Sequence, residues 1–380
     1  MLWNEIFRSP ALAWFALLAT AHRLALRSRM EITIQRMGSM DAFWNEWLGQ
    51  KGLASDGELP LGERLSQVEA LLRQSVLAPL ANFAVIKAEG EDAAAFLQSQ
   101  LSSDIRELVE GRAQYSTYSS AKGRMLASFM IWQHQGAYYL MVAADIAAAI
   151  VKRLTMFVLR SKVKISLADE WSLLGMSGPQ AVETLRKYFP GVAGLESLQT
   201  LSADGAVLLA LPEGGFMLAL GENASLRQDI AAAELRPLAP EIWALRDINA
   251  GIAWVSQATQ EQFVPQMANM ELIGAVNFKK GCYPGQEIVA RSQYLGKMKR
   301  RMFLVEFSQA LAVGSKLYSP QLPDQSIGML AASCQVAEDR YRGLAVVQSQ
   351  TWSSGIFGDE AGTIALTALE LPYALESVTE

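Results

Sequence analysis

Helices alternate with strand pairs from Leu65 to Ala233, and short apolar strands with little helix signal run from Met302 onward; this order predicts an α+β protein ending in an all-β domain. The chain has 380 residues, 51% of them hydrophobic, enough to bury the cores of two or three domains. It contains no G-x-G-x-x-G and no P-loop, so a doubly wound nucleotide-binding fold has no support.

The elements follow in order. Ala11 to Ala21 is apolar apart from Thr20, and is followed by His22, Arg23, Arg27, Arg29 and Arg36. That run is too short for a membrane-spanning helix, which needs roughly 20 residues. Its positive charge follows the apolar stretch instead of preceding it, and no small-residue cleavage site stands out, which argues against a secretory signal. Residues 1–78 are therefore expected to be an extension and linker, partly disordered, with a biological start at Met37 or Met40 and a first amphipathic helix over Asp41 to Leu48. Leu65 to Gln74 has helical spacing, Asn82 to Ala88 reads as a strand, and Glu91 to Leu101 as a helix. Strands over Met125 to Gln133 and Ala137 to Ala143 pair around Gln135-Gly136, and a helix covers Ile146 to Leu159. A related order recurs: strand Trp171 to Met176, helix Pro179 to Tyr188, strands Ala206 to Leu211 and Phe216 to Leu220 around Glu213-Gly214-Gly215, helix Ala224 to Ala233. Hairpins interleaved with helices indicate antiparallel α+β layers. From Val305 to Ala368 the short strands fit a small β-barrel.

The densest chemistry lies at Lys279-Lys280-Gly281-Cys282-Tyr283-Pro284-Gly285-Gln286-Glu287, continuing to Arg291. Two lysines beside a thiol favour the thiolate, and flanking glycines let a ligand approach the backbone. Tyr283-Pro284-Gly285 reads as a turn, after which Gln286 to Arg291 leaves as a strand or short helix. The bland alternative, a small buried hydrophobe, fits Cys334, which has no adjacent charge or glycine.

This segment, with Phe263-Val264-Pro265-Gln266 and Asn269 before it, resembles the signature of the YgfZ folate-binding proteins, relatives of the glycine-cleavage aminomethyltransferase. Ala121-Lys122-Gly123-Arg124-Met125, Ser161-Lys162-Val163-Lys164-Ile165 and Leu371-Pro372-Tyr373-Ala374-Leu375-Glu376 lie in the expected order. The resemblance spans roughly residue 75 to the C-terminus, most of the chain on the usual domain-length prior. It implies two duplicated, interlocked α+β units arranged in a ring around a folate cavity, plus a C-terminal β-barrel. The expected boundaries are 79–124 plus 236–298 for the first unit, 125–235 for the second and 299–380 for the barrel. The implied function is folate binding in iron-sulfur cluster assembly or repair, and hence, indirectly, in tRNA modification. Tetrahydrofolate or a derivative is the implied cofactor, and assembly or client proteins are the implied partners. On this reading Cys282, assisted by Lys280, is the reactive or cluster-contacting group, supported by Gly281, Tyr283, Gly285, Gln286, Glu287 and Arg291. Two alternatives stay open: a folate-dependent aminomethyl transferase, and a docking module without catalysis. For the transferase a carboxylate near the folate nitrogen is required, with Asp104 and Asp145 as candidates.

A pterin needs an aromatic surface and polar groups along one edge, while its glutamate tail needs cations. The resemblance places folate-contacting tryptophans at Trp243 and at the position of Phe83, where the smaller ring either stacks on ligand or packs in the core. Relatives often carry glutamate at the position of Asn249, and an amide offers the pterin only one acceptor oxygen. Asp247, two helix positions away, is expected to point elsewhere.

The net charge of −5 argues against wholesale nucleic-acid binding. Lys279, Lys280, Arg291, Lys297, Lys299, Arg300 and Arg301 against Glu287 alone nonetheless give the stretch from Lys279 to Arg301 a local charge of +6. Such a patch suits a polyglutamate tail, an acidic partner or RNA phosphate, or it is an ordinary solvated face. Two separated cysteines and two histidines supply neither a disulfide framework nor the ligands of a self-contained zinc or four-thiolate cluster site. The expected location is cytoplasmic, without stable membrane insertion.

Overall fold

The apolar run Met125 to Trp132 is buried on both faces, so it has to be a central strand with layers above and below it. In the computed structural model, which describes residues 42–53, 59–222, 224–294, 298–323 and 325–375, it is the core strand of the first of three sheets. The apolar run at Ala11 to Ala21 and the starts at Met37 or Met40 lie outside the described residues.

Helix α1 (Ala42–Gln50) docks Trp44 and Leu48 into the protein, and the Trp47 indole N–H donates to the Ala231 carbonyl at 2.9 Å. Helix α2 (Leu61–Arg73) leads to strand β1 (Val76–Pro79). Then follow β2 (Phe83–Glu89), α3 (Ala93–Gln100), β3 (Ala113–Ser119), β4 (Met125–His134), β5 (Ala137–Ala143), α4 (Ala144–Met156) and β6 (Lys164–Leu167). These five strands form one sheet, ordered β3-β4-β5-β2-β6. The β4–β5 turn takes positive φ at Gln135 (49°) and Gly136 (77°), the tight hairpin signature legible in the sequence.

The same connectivity recurs in β7 (Trp171–Ser177), α5 (Pro179–Arg186), β8 (Thr200–Ala203), β9 (Ala206–Ala210), β10 (Phe216–Gly221), α6 (Leu226–Ala232) and β11 (Arg236–Pro237). Here the order is β11-β1-β7-β10-β9-β8, with β1 inserted antiparallel to β7 and parallel to β11. Pro240 opens α7 (Pro240–Asn249) at a position where its missing N–H costs no hydrogen bond. A long irregular stretch runs to α8 (Gln286–Tyr294).

The chain ends in β12 (Arg300–Phe307), β13 (Lys316–Leu317), β14 (Gly328–Ala337), β15 (Arg340–Gln348), β16 (Ile356–Phe357) and β17 (Ala365–Leu369), ordered β13-β14-β15-β12-β17-β16. A bridge between Tyr318 and Phe357 joins the two ends, so this antiparallel sheet is nearly closed into a barrel around Val305, Leu330, Ala345 and Val347. The fold is thus two mixed α/β sheets with a barrel-like third.

Strands β3 and β4 pair across residues 124/125 through the Ala121 to Arg124 turn, with Gly123 at φ 70°. Strand β1 joins the second sheet, although the chain passes through the first sheet before returning to the second.

Candidate functional site

A concavity of about 600 Å³ opens where these layers meet. Ala81, Asn82 and Phe83 reach it from the β1–β2 connection, Ala143 to Asp145 from the β5–α4 junction, and Pro240, Glu241, Ala244, Asp247 and Ile248 from one face of α7. Ile252, Trp254, Ser256 and Gln257 follow from the next loop, and the barrel closes the wall with Ala331, Ala332 and Ser333. Three consecutive β14 residues face the same space because the pairing with β15 shifts register between Leu330 and Ala332, a bulge that breaks the in–out alternation. An inner recess of about 10 Å³ shares Phe83, Asp247 and Trp254 with this cavity, and is otherwise walled by side chains such as Tyr115, Met130, Met141, Met217 and Trp243.

Asp247 is the carboxylate at the junction of the two spaces. Its side chain is only 13% exposed; Oδ2 accepts from the Trp254 indole N–H at 2.8 Å and Oδ1 faces Arg246 Nη1 at 3.4 Å. Burial pushes its carboxyl above the usual range, opposed by the Arg246 guanidinium and the Trp254 hydrogen bond. Each oxygen keeps a further lone pair for a ligand. Phe83 and Trp254 meet edge to face, ring centroids 5.0 Å apart, beside that carboxylate. Asp145 also lines the cavity, its Oδ2 accepting from the Gln257 backbone N–H at 2.9 Å.

The residues expected to contact a ligand lie in different surroundings. Phe83 lines the cavity, whereas Trp243 is 2% exposed and lines only the inner recess, pressed so closely on β7 that a Cβ at Gly175 would lie 2.4 Å from its ring. Asn249 is not among the lining residues; its amide oxygen accepts from Arg342 Nη1 at 2.9 Å. Asp247 faces the cavity, contrary to expectation, because two residues on a helix are separated by about 200° and it is Asn249 that turns away. Trp254, which no motif singles out, and Asp247, expected to point elsewhere, both line this cavity. The signal was present: Pro240 and Ala244 form a small-residue stripe on the face that carries Asp247, leaving room beside α7.

The Cys282 loop is a separate place. Cys282 is exposed, and neither it nor its neighbours line the cavity. The loop is held from beneath. Lys280 is buried, and its ammonium donates to the carbonyls of Gln98, Leu101 and Ser103 at 2.5–2.9 Å, closing the C-terminal end of α3. Burial pulls that ammonium down to about 8, with Asp104 acting against the shift. The Asn277 side chain accepts from the backbone N–H groups of Lys279 and Lys280, and Gln286 Nε2 donates to the Lys280 carbonyl. Tyr283 is buried, its phenol pushed up to about 12 by burial, with the Lys280 ammonium 5.3 Å from its ring centroid. Gly285, at φ 78°, lies against the Ala121–Arg124 turn so closely that a Cβ would stand 2.4 Å from the Ser120 carbonyl oxygen. Lys280 therefore anchors the loop through backbone carbonyls. Glu287 and Arg291 are exposed one turn apart on α8, and no ion pair joins them among the described residues. Gln266 and Asn269, from the preceding signature segment, are buried and bind the backbone of Val289 and Met302.

The +6 stretch is less concentrated in space than in sequence. Lys280 is buried, and Arg301 pairs with Glu271. Asp104 also lies away from the cavity lining; its carboxyl is held down at about 2, chiefly by the Arg106 guanidinium. Cys334 is buried, and burial raises its thiol to about 11. No helix among the described residues is long and apolar enough to cross a membrane.

Residues 65–205 match the family model of the GCVT N-terminal domain. The tRNA-modifying protein YgfZ of Cronobacter sakazakii is 28% identical over 314 residues, covering 79% of this chain and 93% of that protein. The protein of the same name from Colwellia psychrerythraea is 28% identical over 235 residues, 62% of this chain and 72% of that one. Among solved structures, the glycine cleavage system aminomethyltransferase T from Bartonella henselae shares the fold with a TM-score of 0.68 at 18% identity, over 90% of this chain and 95% of that one. With the Lys279 to Arg291 signature set on this fold, the chain is similar to the YgfZ tRNA-modifying proteins and carries part of the GCVT N-terminal domain pattern.

Proposed function

We propose that this protein binds a reduced folate in the cavity between α7, the first sheet and the barrel, and acts in iron-sulfur cluster assembly or repair, and so indirectly in tRNA modification. The observation that carries the folate reading is a buried carboxylate, Asp247, set beside the Phe83–Trp254 ring pair in a cavity of about 600 Å³. That size falls within the roughly 300–1,000 Å³ of small-molecule sites. A pteridine presents adjacent N–H and amino donors that suit a carboxylate, and a flat face that suits an aromatic wall. Trp243 would support the site from behind, and Asn249 would hold the barrel to α7 through Arg342. The recurring connectivity of the two sheets supports reading them as duplicated units.

Cys282 is the second functional group on this reading, an exposed thiol on a loop fixed by Lys280, Asn277 and Gly285. It would act on a cluster or a client protein at the surface, apart from the folate. Cys282→Ser should leave the fold and folate binding intact and depress cluster-dependent tRNA thiolation in cells. Normal thiolation with that variant would remove Cys282 from the function. Asp145 favours a second reading, transfer of a one-carbon unit by the protein itself, because it supplies a carboxylate at the cavity wall. Turnover of an aminomethyl or methylene donor with tetrahydrofolate, lost in Asp145→Asn, would select it.

A further inference from the structure

The charge pattern of the cavity bears on which end of its ligand is read. The carboxylates of Asp145, Glu241 and Asp247 line it, and among the described residues no Lys, Arg or His does. The cation nearest in sequence, Arg246, is not among the lining residues; its guanidinium pairs with Asp247 at 3.4 Å from behind and donates to the carbonyls of Pro212 and Gly214, so Asp145 and Glu241 are the lining carboxylates without a cation in the wall. Asp247 lies inside, whereas Asp145 and Glu241 are exposed. A reduced folate has two chemically opposite ends: a donor-rich pteridine, and a γ-glutamate tail that adds a carboxylate with each residue. A wall of carboxylates attracts the first end and repels the second.

Resting on the folate reading above, we propose that this cavity recognises the pteridine end alone and leaves the glutamate tail in solvent, so that affinity does not increase with glutamate number. The tail passes exposed carboxylates in high dielectric, where repulsion is weak and screened by salt. Each added glutamate therefore weakens binding slightly at low ionic strength and has no effect at high ionic strength. The ligand class is a reduced pterin of any tail length, including one with no glutamate.

The test is an anaerobic calorimetric titration of the full chain with tetrahydropteroate, tetrahydrofolate and tetrahydrofolate triglutamate, at low and high salt. The proposal expects all three to bind within about tenfold of one another, the triglutamate about two- to fivefold weakest at low salt and converging at high salt. A triglutamate bound more than tenfold tighter than tetrahydropteroate would overturn it while leaving the folate reading in place. Failure of all three to bind would overturn both. Glu241→Lys, at an exposed position, should reverse the order at low salt, tightening the triglutamate about three- to tenfold relative to tetrahydropteroate. An equal effect on both ligands in that variant would count against the proposal.

Discussion

Lys280 shows how neighbouring residues of one motif divide the work. Its side chain leaves the thiol loop and ties three carbonyls at the end of α3, so a change there acts on Cys282 through the backbone. Its ammonium titrates at about 8 in the fold, against about 10.4 in an unfolded chain. Between those values the native state binds fewer protons, so the stability linked to this group rises with pH through the window; it is complete above the unfolded value and lost as pH falls through about 8. Lys280→Met should abolish that slope in urea midpoints measured from pH 7 to 10.5, and cost about 2–4 kcal/mol by orphaning the carbonyls. An unchanged slope would show that another group titrates. The Lys279–Lys280 pair read as charge activating a thiol; that one of the two is an internal strut is invisible in sequence, because the carbonyls it binds lie more than 170 residues away.

Among the elements, the Gly123 and Gly285 turns fit one another, the turn before β4 seating the one before α8. Gly285 combines a φ of 78° with a contact that admits no Cβ, so Gly285→Ala has to displace the loop. Its expected cost is about 2 kcal/mol or more. Hydrogen exchange should quicken from Gly281 to Glu287 while β4 and β5 keep their protection; a loop unchanged in exchange would mean that the glycine contact does not set it. Helices and hairpins of this fold were legible from periodicity and turn chemistry, as at Gln135-Gly136 and in the amphipathic α4. Strands β1, β3, β6 and β8 were not identified. Three of them are only four to seven residues of ordinary polarity or mixed pattern, and β1 is a strand only because it completes a sheet whose other members come about a hundred residues later.

At the scale of the molecule, the cavity belongs to no single sheet. Its walls come from the first sheet, from α7 and from the bulged strand of the barrel, so the site exists only when the barrel is docked on α7. The family resemblance offers Phe83 as a ligand contact or a core ring, whereas nothing in the sequence singles out Trp254, whose place depends on an irregular loop crossing the first sheet. Ala332 lines the cavity from the barrel side and is half-buried. Ala332→Phe should fill the cavity and weaken reduced-folate binding at least about tenfold. Its thermal midpoint should stay within a few degrees, since the new ring enters space and not packed core. Full binding by that variant would place the ligand elsewhere.

The most direct measurement is the quenching of tryptophan emission on anaerobic titration with tetrahydrofolate, in the native protein and in Asp247→Asn. Saturable quenching in the native protein, with affinity reduced about ten- to a hundredfold in the variant, is the expected result, the loss of one charged hydrogen-bonding edge being worth roughly 1.5–3 kcal/mol. Equal affinity in the two proteins, or no binding by the native one, would contradict it.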